Sequence, residues 1–179
     1  MNQLFPEIRT IPYEGPKSKN PLAFRWYNPD EILAGKPMRE HLRFSLAWWH
    51  TLCACGTDMF GGDTMDKSFG TSGMDLAKKK ADAAFELMEK LSIDYFCFHD
   101  YDLVDEADTL AETNARLDEI SDYILEKMKA TGKKCLWGTQ KLFGNKRYMH
   151  GAGTAPNADV FAYAAAQTKK NIEISVKLG

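Results

Sequence analysis

The sequence lacks a dominant charge of either sign. Its 179 residues carry 23 Lys and Arg against 25 Asp and Glu, a formal net charge of −2, and the two signs are interspersed. A basic stripe that could bind phosphate backbones or anionic lipid is therefore missing. This balance argues against nucleic acid and membrane as partners.

Cysteine is scarce, and long apolar runs are missing. Cys53 and Cys55 are too close for the usual C-x-x-C clamp, while Cys97 and Cys135 lie in apolar runs where cysteine acts as a small hydrophobe. The four thiols are thus expected to be reduced and structural. No run approaches the ~20 apolar residues that cross a bilayer, and the first residues show no cleavable leader pattern. We expect a cytoplasmic protein.

Proline is nearly absent after position 37, where only Pro156 remains of the seven. Because proline interrupts helices and strands, residues 1–72 are predicted to be an irregular region. Within it we expect one strand over residues 22–27 and one helix from Met38 to about Cys53. Residues 44–49 could form a short strand instead, since their apolar pattern fits either period.

Residues 73–179 show a regular alternation that the first part lacks. Apolar spacing predicts a helix to near Ser92, a second ending at Gly132 and a third from Asn157 to Gly179. Capping-box spacing at residues 72–75 and 109–112 marks two of the starts. Apolar runs at 95–98 and 135–137 predict strands between the helices. This order is typical of βα units with a parallel sheet, so the predicted fold class is α/β.

His99 ends the first predicted strand, where the carboxyl ends of parallel strands meet in a common crevice. By position it could be a general acid or base, a metal ligand or a hydrogen-bonded structural residue. Asp102 can accept the imidazole Nδ1 proton and fix the tautomer, which favours catalysis. Asp100 is expected to be a solvated or loop-capping acid.

Aromatic residues cluster near the predicted strand ends. Apolar rings with a few polar groups suit sugars, whose C–H faces stack on rings while their hydroxyls form hydrogen bonds. Each aromatic taken alone is more typical of a core. The set comprises Trp48, Trp49, Phe60, Trp137 and Phe143.

These motifs together resemble the N-terminal part of xylose isomerase, in the class with the longer insert. The matching stretches run in order along nearly the whole chain, at residues 20–24, 42–51, 56–61, 96–102, 136–143 and 157–163. Their landmarks are Phe96-Cys97-Phe98-His99-Asp100 with Asp102, Leu136-Trp137-Gly138-Thr139 with Leu142-Phe143, and Asn157-Ala158-Asp159-Val160-Phe161.

The resemblance implies the N-terminal part of a TIM-type (β/α)8 barrel with roughly three to four βα units and parallel strands. Residues 1–72 would be the irregular N-terminal region and residues 73–179 the βα units, with the C-terminal half of the barrel absent. A barrel of this type typically needs about 250 residues, more than this chain has. The family assembles as a tetramer, so a homo-oligomer is expected.

The implied reaction converts D-xylose to D-xylulose, and D-glucose to D-fructose in many members, by a metal-assisted hydride shift after ring opening. Two divalent cations (Mg, Mn or Co) are implied, and no ligand for them is identifiable in this chain. The chain alone is therefore expected to be inactive. The alternative is a truncated, non-catalytic assembly module that self-associates through exposed apolar surface.

The same resemblance assigns roles to individual residues. His99 would bind the ring oxygen of the sugar and assist ring opening, and Asp102 would orient its imidazole. Phe60 would enter the pocket of a neighbouring subunit. The pocket wall would be formed by Trp49, Trp137 and Phe143, with Thr139 beside the far end of the sugar. Tyr101 and Gln140-Lys141 depart from the family pattern.

Overall fold

The computed structural model describes residues 3–179 and has the predicted α/β arrangement. A short antiparallel hairpin, Ile32–Leu33 (β1) and Lys36–Pro37 (β2), comes first. The main sheet is parallel and contains Ser45–Ala47 (β3), Tyr95–His99 (β4) and Lys134–Thr139 (β5), in the order β3-β4-β5. The register places the last residues of β4 and β5, His99 and Thr139, side by side.

Five α-helices accompany the strands in the described part of the chain. Two are single turns, Met38–His41 (α1) and Asp100–Leu103 (α3). Three are long: Gly73–Lys90 (α2), Leu110–Thr131 (α4) and Ala158–Leu178 (α5). A π-helical turn covers Trp49–Cys53, and a 3₁₀ turn covers Lys146–Tyr148. None of the helices within residues 3–179 is long and apolar enough to cross a membrane.

The hydrophobic core lies between the sheet and the long helices. Side chains alternate between the two faces of a strand, and on β4 Phe96 and Phe98 are fully buried in the same cluster as Ile120 and Ile124 of α4. His99 alternates with Phe98 and so points to the opposite face. The helices thus cover one face of the sheet, and the chemistry predicted for His99 falls on the other.

The predicted helix ends are mostly confirmed. The Thr109 hydroxyl accepts a hydrogen bond from the Glu112 amide at 3.2 Å, and Asn157 accepts from the Asp159 amide at 2.8 Å. Gly132 ends α4 with φ of 73°, a left-handed conformation that glycine adopts without strain. Ser72 does precede α2, but its side chain makes no capping bond, so the capping box predicted there is not formed.

Two predictions in the N-terminal region are wrong. Residues 22–27 form no strand: Phe24 makes only an isolated bridge with Tyr13, and Leu22 is 92% exposed, because no neighbouring strand pairs with this segment. The helix from Met38 to Cys53 stops after one turn at His41. The alternative short strand is confirmed as β3, because backbone pairing with β4 outweighs the helical spacing of the apolar residues.

The N-terminal residues are tied to the regular part through α2. The Glu86 carboxylate accepts hydrogen bonds from the amides of Leu4 and Phe5, at 2.6 and 3.0 Å. One turn later the Lys90 ammonium donates to the Ile8 carbonyl. Polar contacts on the helix surface therefore anchor a segment that has no regular structure of its own.

Candidate active site

A cavity of about 280 Å³ opens at the carboxyl ends of the parallel strands. It combines the π-helical turn that follows β3 with the end of β4 and the loop that follows β5. Its lining residues are Trp49, His50, Cys53, Ala54, His99, Asp102, Lys141 and Phe143. The topology thus brings together residues from positions 49 to 143 of the chain.

The His99–Asp102 contact has the predicted geometry. The imidazole Nδ1 lies 2.7 Å from Asp102 Oδ2, which also accepts the His99 backbone amide at 3.2 Å. The contact forms because α3 begins directly after β4, so that its third residue turns back toward the strand end. A carboxylate can only accept, so Nδ1 is the donor, and Nε2 is the ring nitrogen left for a ligand.

Lys141 completes the surroundings of Asp102, whose side chain is fully buried. Its ammonium donates to Asp102 Oδ1 at 3.1 Å while the lysine side chain stays partly exposed. Asp102 therefore holds a histidine on one oxygen and a cation on the other. Sequence reasoning did not assign Lys141 to the site. The available signal was its place two residues beyond the end of β5, where the same strand-end rule applied.

Three aromatic rings surround His99. The Trp49 ring centroid is 4.7 Å from that of His99 and 5.4 Å from that of Trp137, and Phe143 meets His99 edge-on at 5.3 Å. Trp137 and Phe143 remain partly exposed, so these two rings also face open space. Trp48 is different. It is fully buried in the core, near Phe96, and does not contribute to the cavity.

Two further predicted residues lie elsewhere. Thr139 is beside His99 in the sheet register but, like Trp137, is not among the residues that line the cavity. Phe60 is 88% exposed in a turn whose shape comes from Asp58, which accepts the amides of Phe60 and Gly62 at 2.7 and 3.0 Å. The structure does not bring Phe60 to the cavity of its own chain.

Of the two roles expected for Asp100, a solvated or a loop-capping acid, the first is wrong and the second agrees with the structure. Asp100 is fully buried, and three donors surround it: the amides of Tyr101 and Lys141, and the Gln167 side chain, each at 2.8 Å. Burial raises its pKa, and these hydrogen bonds act in the opposite direction. Its burial was not predicted, because its partner Gln167 lies 67 residues away, on α5.

The cysteines are free thiols, as predicted. Cys53 lines the cavity, and its thiol donates to the Asp102 carbonyl at 3.4 Å. Burial raises the pKa of the Cys53 thiol to about 11. The thiol is therefore protonated at neutral pH, and it is not the thiolate that nucleophilic chemistry needs.

Curated proteins similar to this chain are named xylose isomerase. One from Geobacillus kaustophilus is 58% identical over 176 residues, which cover 98% of this chain and 40% of the relative. Others from Thermoanaerobacter pseudethanolicus and Thermoanaerobacterium saccharolyticum are 55% and 52% identical, over 99% and 100% of this chain and 41% of each relative. By sequence, the chain belongs to the xylose isomerase family. No protein-family model matches it.

The chain spans about 40% of the length of these xylose isomerases. Within residues 3–179, no group of three or more His, Cys, Asp or Glu side chains is placed to hold a metal ion. In the cavity itself, both oxygens of Asp102 already accept hydrogen bonds from His99 and Lys141. The side chains of residues 3–179 therefore do not fit a divalent cation site.

Proposed function

We propose that this chain carries the ring-opening part of an aldose–ketose isomerase that converts D-xylose to D-xylulose, with D-glucose as a possible second substrate. The proposal depends on one observation: an oriented histidine lies among aromatic rings at the carboxyl ends of parallel strands. The identity to xylose isomerases supports the choice of sugar. A cytoplasmic location is part of the same proposal.

Ring opening needs proton transfer at two oxygens. The C1–O5 bond breaks, O5 gains a proton, and the O1 hydroxyl loses one as C1 becomes an aldehyde. A doubly protonated His99 can donate from Nε2 to O5, and the neutral imidazole can then take up the O1 proton. Asp102 at 2.7 Å holds Nδ1 throughout and stabilises the imidazolium.

The remaining predicted site residues would bind the sugar and shape its pocket. Trp49, Trp137 and Phe143 would contact the C–H faces of the sugar and exclude water, which suits a ligand with one apolar and one polar side. Thr139 would lie toward the far end of the sugar. Phe60 would contribute to the pocket of a neighbouring subunit, and its exposure is compatible with that role.

The hydride shift between C1 and C2 falls outside what these side chains can do. In the proposal, two divalent cations (Mg, Mn or Co) supply Lewis-acid polarisation, with ligands from the part of the family's length that this chain does not span. The same view makes residues 3–72 the irregular N-terminal region and residues 73–179 the first βα units of a (β/α)8 barrel.

A second candidate, a non-catalytic module that self-associates, is favoured by a groove of about 610 Å³ along α5. Its apolar side chains include Phe161 and Ile172, both more than half exposed. The edge strand β5 lies beside α5 and has one paired neighbour in the sheet. Surface of this kind promotes association, and the family resemblance implies a homo-oligomer.

Mutarotation tests the ring-opening proposal without requiring the metal half. The interconversion of α- and β-D-xylose passes through the open chain, so the 179-residue chain should accelerate it, as followed by polarimetry with a metal chelator present. General acid–base catalysis contributes roughly 10²–10⁴-fold, so His99→Ala should remove nearly all the acceleration. Asp102→Asn should slow it as well.

The matched control is His150→Ala, because His150 is an exposed histidine outside the cavity. An acceleration that survives His99→Ala, or no acceleration by the folded wild-type chain, would refute the ring-opening role. Conversion to xylulose with added Mg, Mn or Co then measures whether the chain completes the reaction. Sedimentation of wild type against Ile172→Lys separates self-association through the α5 groove from a monomer.

A further inference from the structure

We infer that Asp100 is a positioning residue of the candidate pocket, holding the loop after β5 over the His99–Asp102 pair. The inference rests on the proposed function only in that the pocket is taken as the sugar site. It concerns a buried carboxylate next to His99 that the ring-opening step does not use.

Asp100 connects three separate parts of the chain. Its Oδ1 accepts the amides of Tyr101, in its own helix α3, and of Lys141, in the loop after β5, each at 2.8 Å. Its Oδ2 accepts Gln167 Nε2 of α5 at 2.8 Å. Gln167 in turn accepts the Tyr148 hydroxyl at 2.6 Å. A full set of donors therefore fixes the carboxylate in place.

The hydrogen bond between Asp100 and the Lys141 amide fixes the loop backbone from which two side chains reach the pocket. From that anchored backbone, the Lys141 side chain extends to Asp102 Oδ1, and two residues further on the Phe143 ring meets His99. Both contacts are made by a loop without regular structure, and such loops are mobile unless their backbone groups are tied down. The Asp100 carboxylate connects residues 140–143 to the neighbouring strand end through a buried hydrogen bond.

A buried carboxylate is costly unless hydrogen bonds compensate for its lost hydration. Burial does raise the pKa of Asp100, so an apolar residue of similar volume would serve better if packing were its sole role. The Asp100 carboxylate accepts the Lys141 amide, and this hydrogen bond explains why an acidic residue lies at this buried position. Asp100→Leu removes the acceptor and keeps the branched shape of the side chain, and Asp100→Asn keeps an Oδ1 for the two amides.

The test follows Lys141 itself, in the 179-residue chain and without sugar. Acetic anhydride at limiting amounts labels lysines, and mass spectrometry gives the rate at Lys141 relative to exposed Lys169. Releasing the loop should free the ammonium from Asp102, so Asp100→Leu should raise the Lys141 rate roughly tenfold. Asp100→Asn should stay within about twofold of wild type, because Gln167 can flip its amide to face the new NH₂ group.

Gln167→Leu is the matched control for a purely structural effect. It removes a buried partner of the same carboxylate and lowers stability, yet it leaves the Lys141 amide bond in place. Thermal melts of every variant give the stability change. If labelling at Lys141 rises in Gln167→Leu as it does in Asp100→Leu, in step with stability, the positioning role is wrong.

The wild-type chain offers a second measurement in case Asp100→Leu does not fold. The Lys141 amide should exchange its hydrogen far more slowly than that of exposed Gly144 in the same loop, and equal rates would overturn the inference. Neither measurement uses sugar turnover. A failed mutarotation assay would therefore refute the ring-opening proposal and leave the role of Asp100 to be decided by these results.

Discussion

Residues 3–72 and residues 73–179 bury their apolar side chains to very different degrees. In the second part, three helices of 18, 22 and 21 residues cover β4 and β5. In the first part no element exceeds five residues. Large side chains there stay open to solvent, among them Leu22, Trp26, Met59 and Phe60. The second part finds its packing partners within the chain, whereas the first part leaves much of its apolar surface without one.

This difference explains how the candidate site is built. The regular part supplies the polar chemistry of His99 and Asp102 on a sheet with a well-packed core. The first part supplies Trp49, through the one segment that does join the sheet, β3 and the turn after it. The site therefore depends on the core of one region and on a single strand of the other.

The largest expected effect compares one phenylalanine from each region. Phe98→Ala removes a fully buried ring, so the free energy of unfolding should fall by about 3–5 kcal/mol. Phe60→Ala removes an 88% exposed ring and should change it by less than about 0.5 kcal/mol. Urea unfolding of both variants measures the contrast. Equal losses would mean that Phe60 is buried against another copy of the chain, and the comparison between regions would then hold only for the monomer.

The difference in burial between the two regions also explains which features the sequence could predict. Helices α2, α4 and α5 and strands β4 and β5 follow from apolar periodicity, because each buries one face against the others. The His99–Asp102 contact follows from a spacing of three residues at a strand end. For Lys141 the strand-end position indicates the site but not the contact with Asp102. Gln167 could not be predicted at all, since its contact with Asp100 depends on how α5 packs against a distant strand end.

A smaller effect is expected at glycines, again one from each region. A Cβ on Gly138 would lie 2.7 Å from Phe98 Cζ and 2.7 Å from Ser175 Oγ, so Gly138→Ala should cost about 1–3 kcal/mol through overpacking between β5 and α5. A Cβ on Gly62 would lie 3.3 Å from Asp58 Oδ2, and the Asp58 side chain belongs to a loop and can shift. Gly62→Ala should stay within about 0.5 kcal/mol. Thermal melts of the pair decide whether the β5–α5 contact is as tight as the structure indicates.

Helix caps give a contrast of about 1 kcal/mol. Thr109→Ala removes a side-chain acceptor for the Glu112 amide and should lower the free energy of unfolding by roughly 0.5–2 kcal/mol. Ser72 lies where the two regions join and makes no such bond, so Ser72→Ala should change stability by no more than about 0.5 kcal/mol. Urea unfolding at neutral pH compares them. A larger loss at Ser72 would show that the junction is better ordered than its hydrogen bonds suggest.

The smallest effect on global stability concerns the attachment of the first region to α2. Burial acts to raise the pKa of Glu86, but hydrogen bonds from the Leu4 and Phe5 amides, with the nearby Lys90 ammonium, hold it below its ordinary value of 4.5. A depressed carboxyl pKa stabilises the folded form above the ordinary value, and this contribution is lost as the pH falls through the lower, folded value. Acid should therefore release residues 4–11 before the core unfolds.

Hydrogen exchange of the Leu4 and Phe5 amides measures that release directly. In wild type their protection should fall below about pH 4.5, the ordinary carboxyl value, while the core amides of β4 stay protected. In Glu86→Gln the protection should be weaker and nearly independent of pH over this range, since the titrating group is gone. Glu89→Gln, an exposed change on the same helix, should behave as wild type. Loss of protection in β4 at the same pH would mean that the two regions unfold as one unit. The regions would then differ in burial but not in stability.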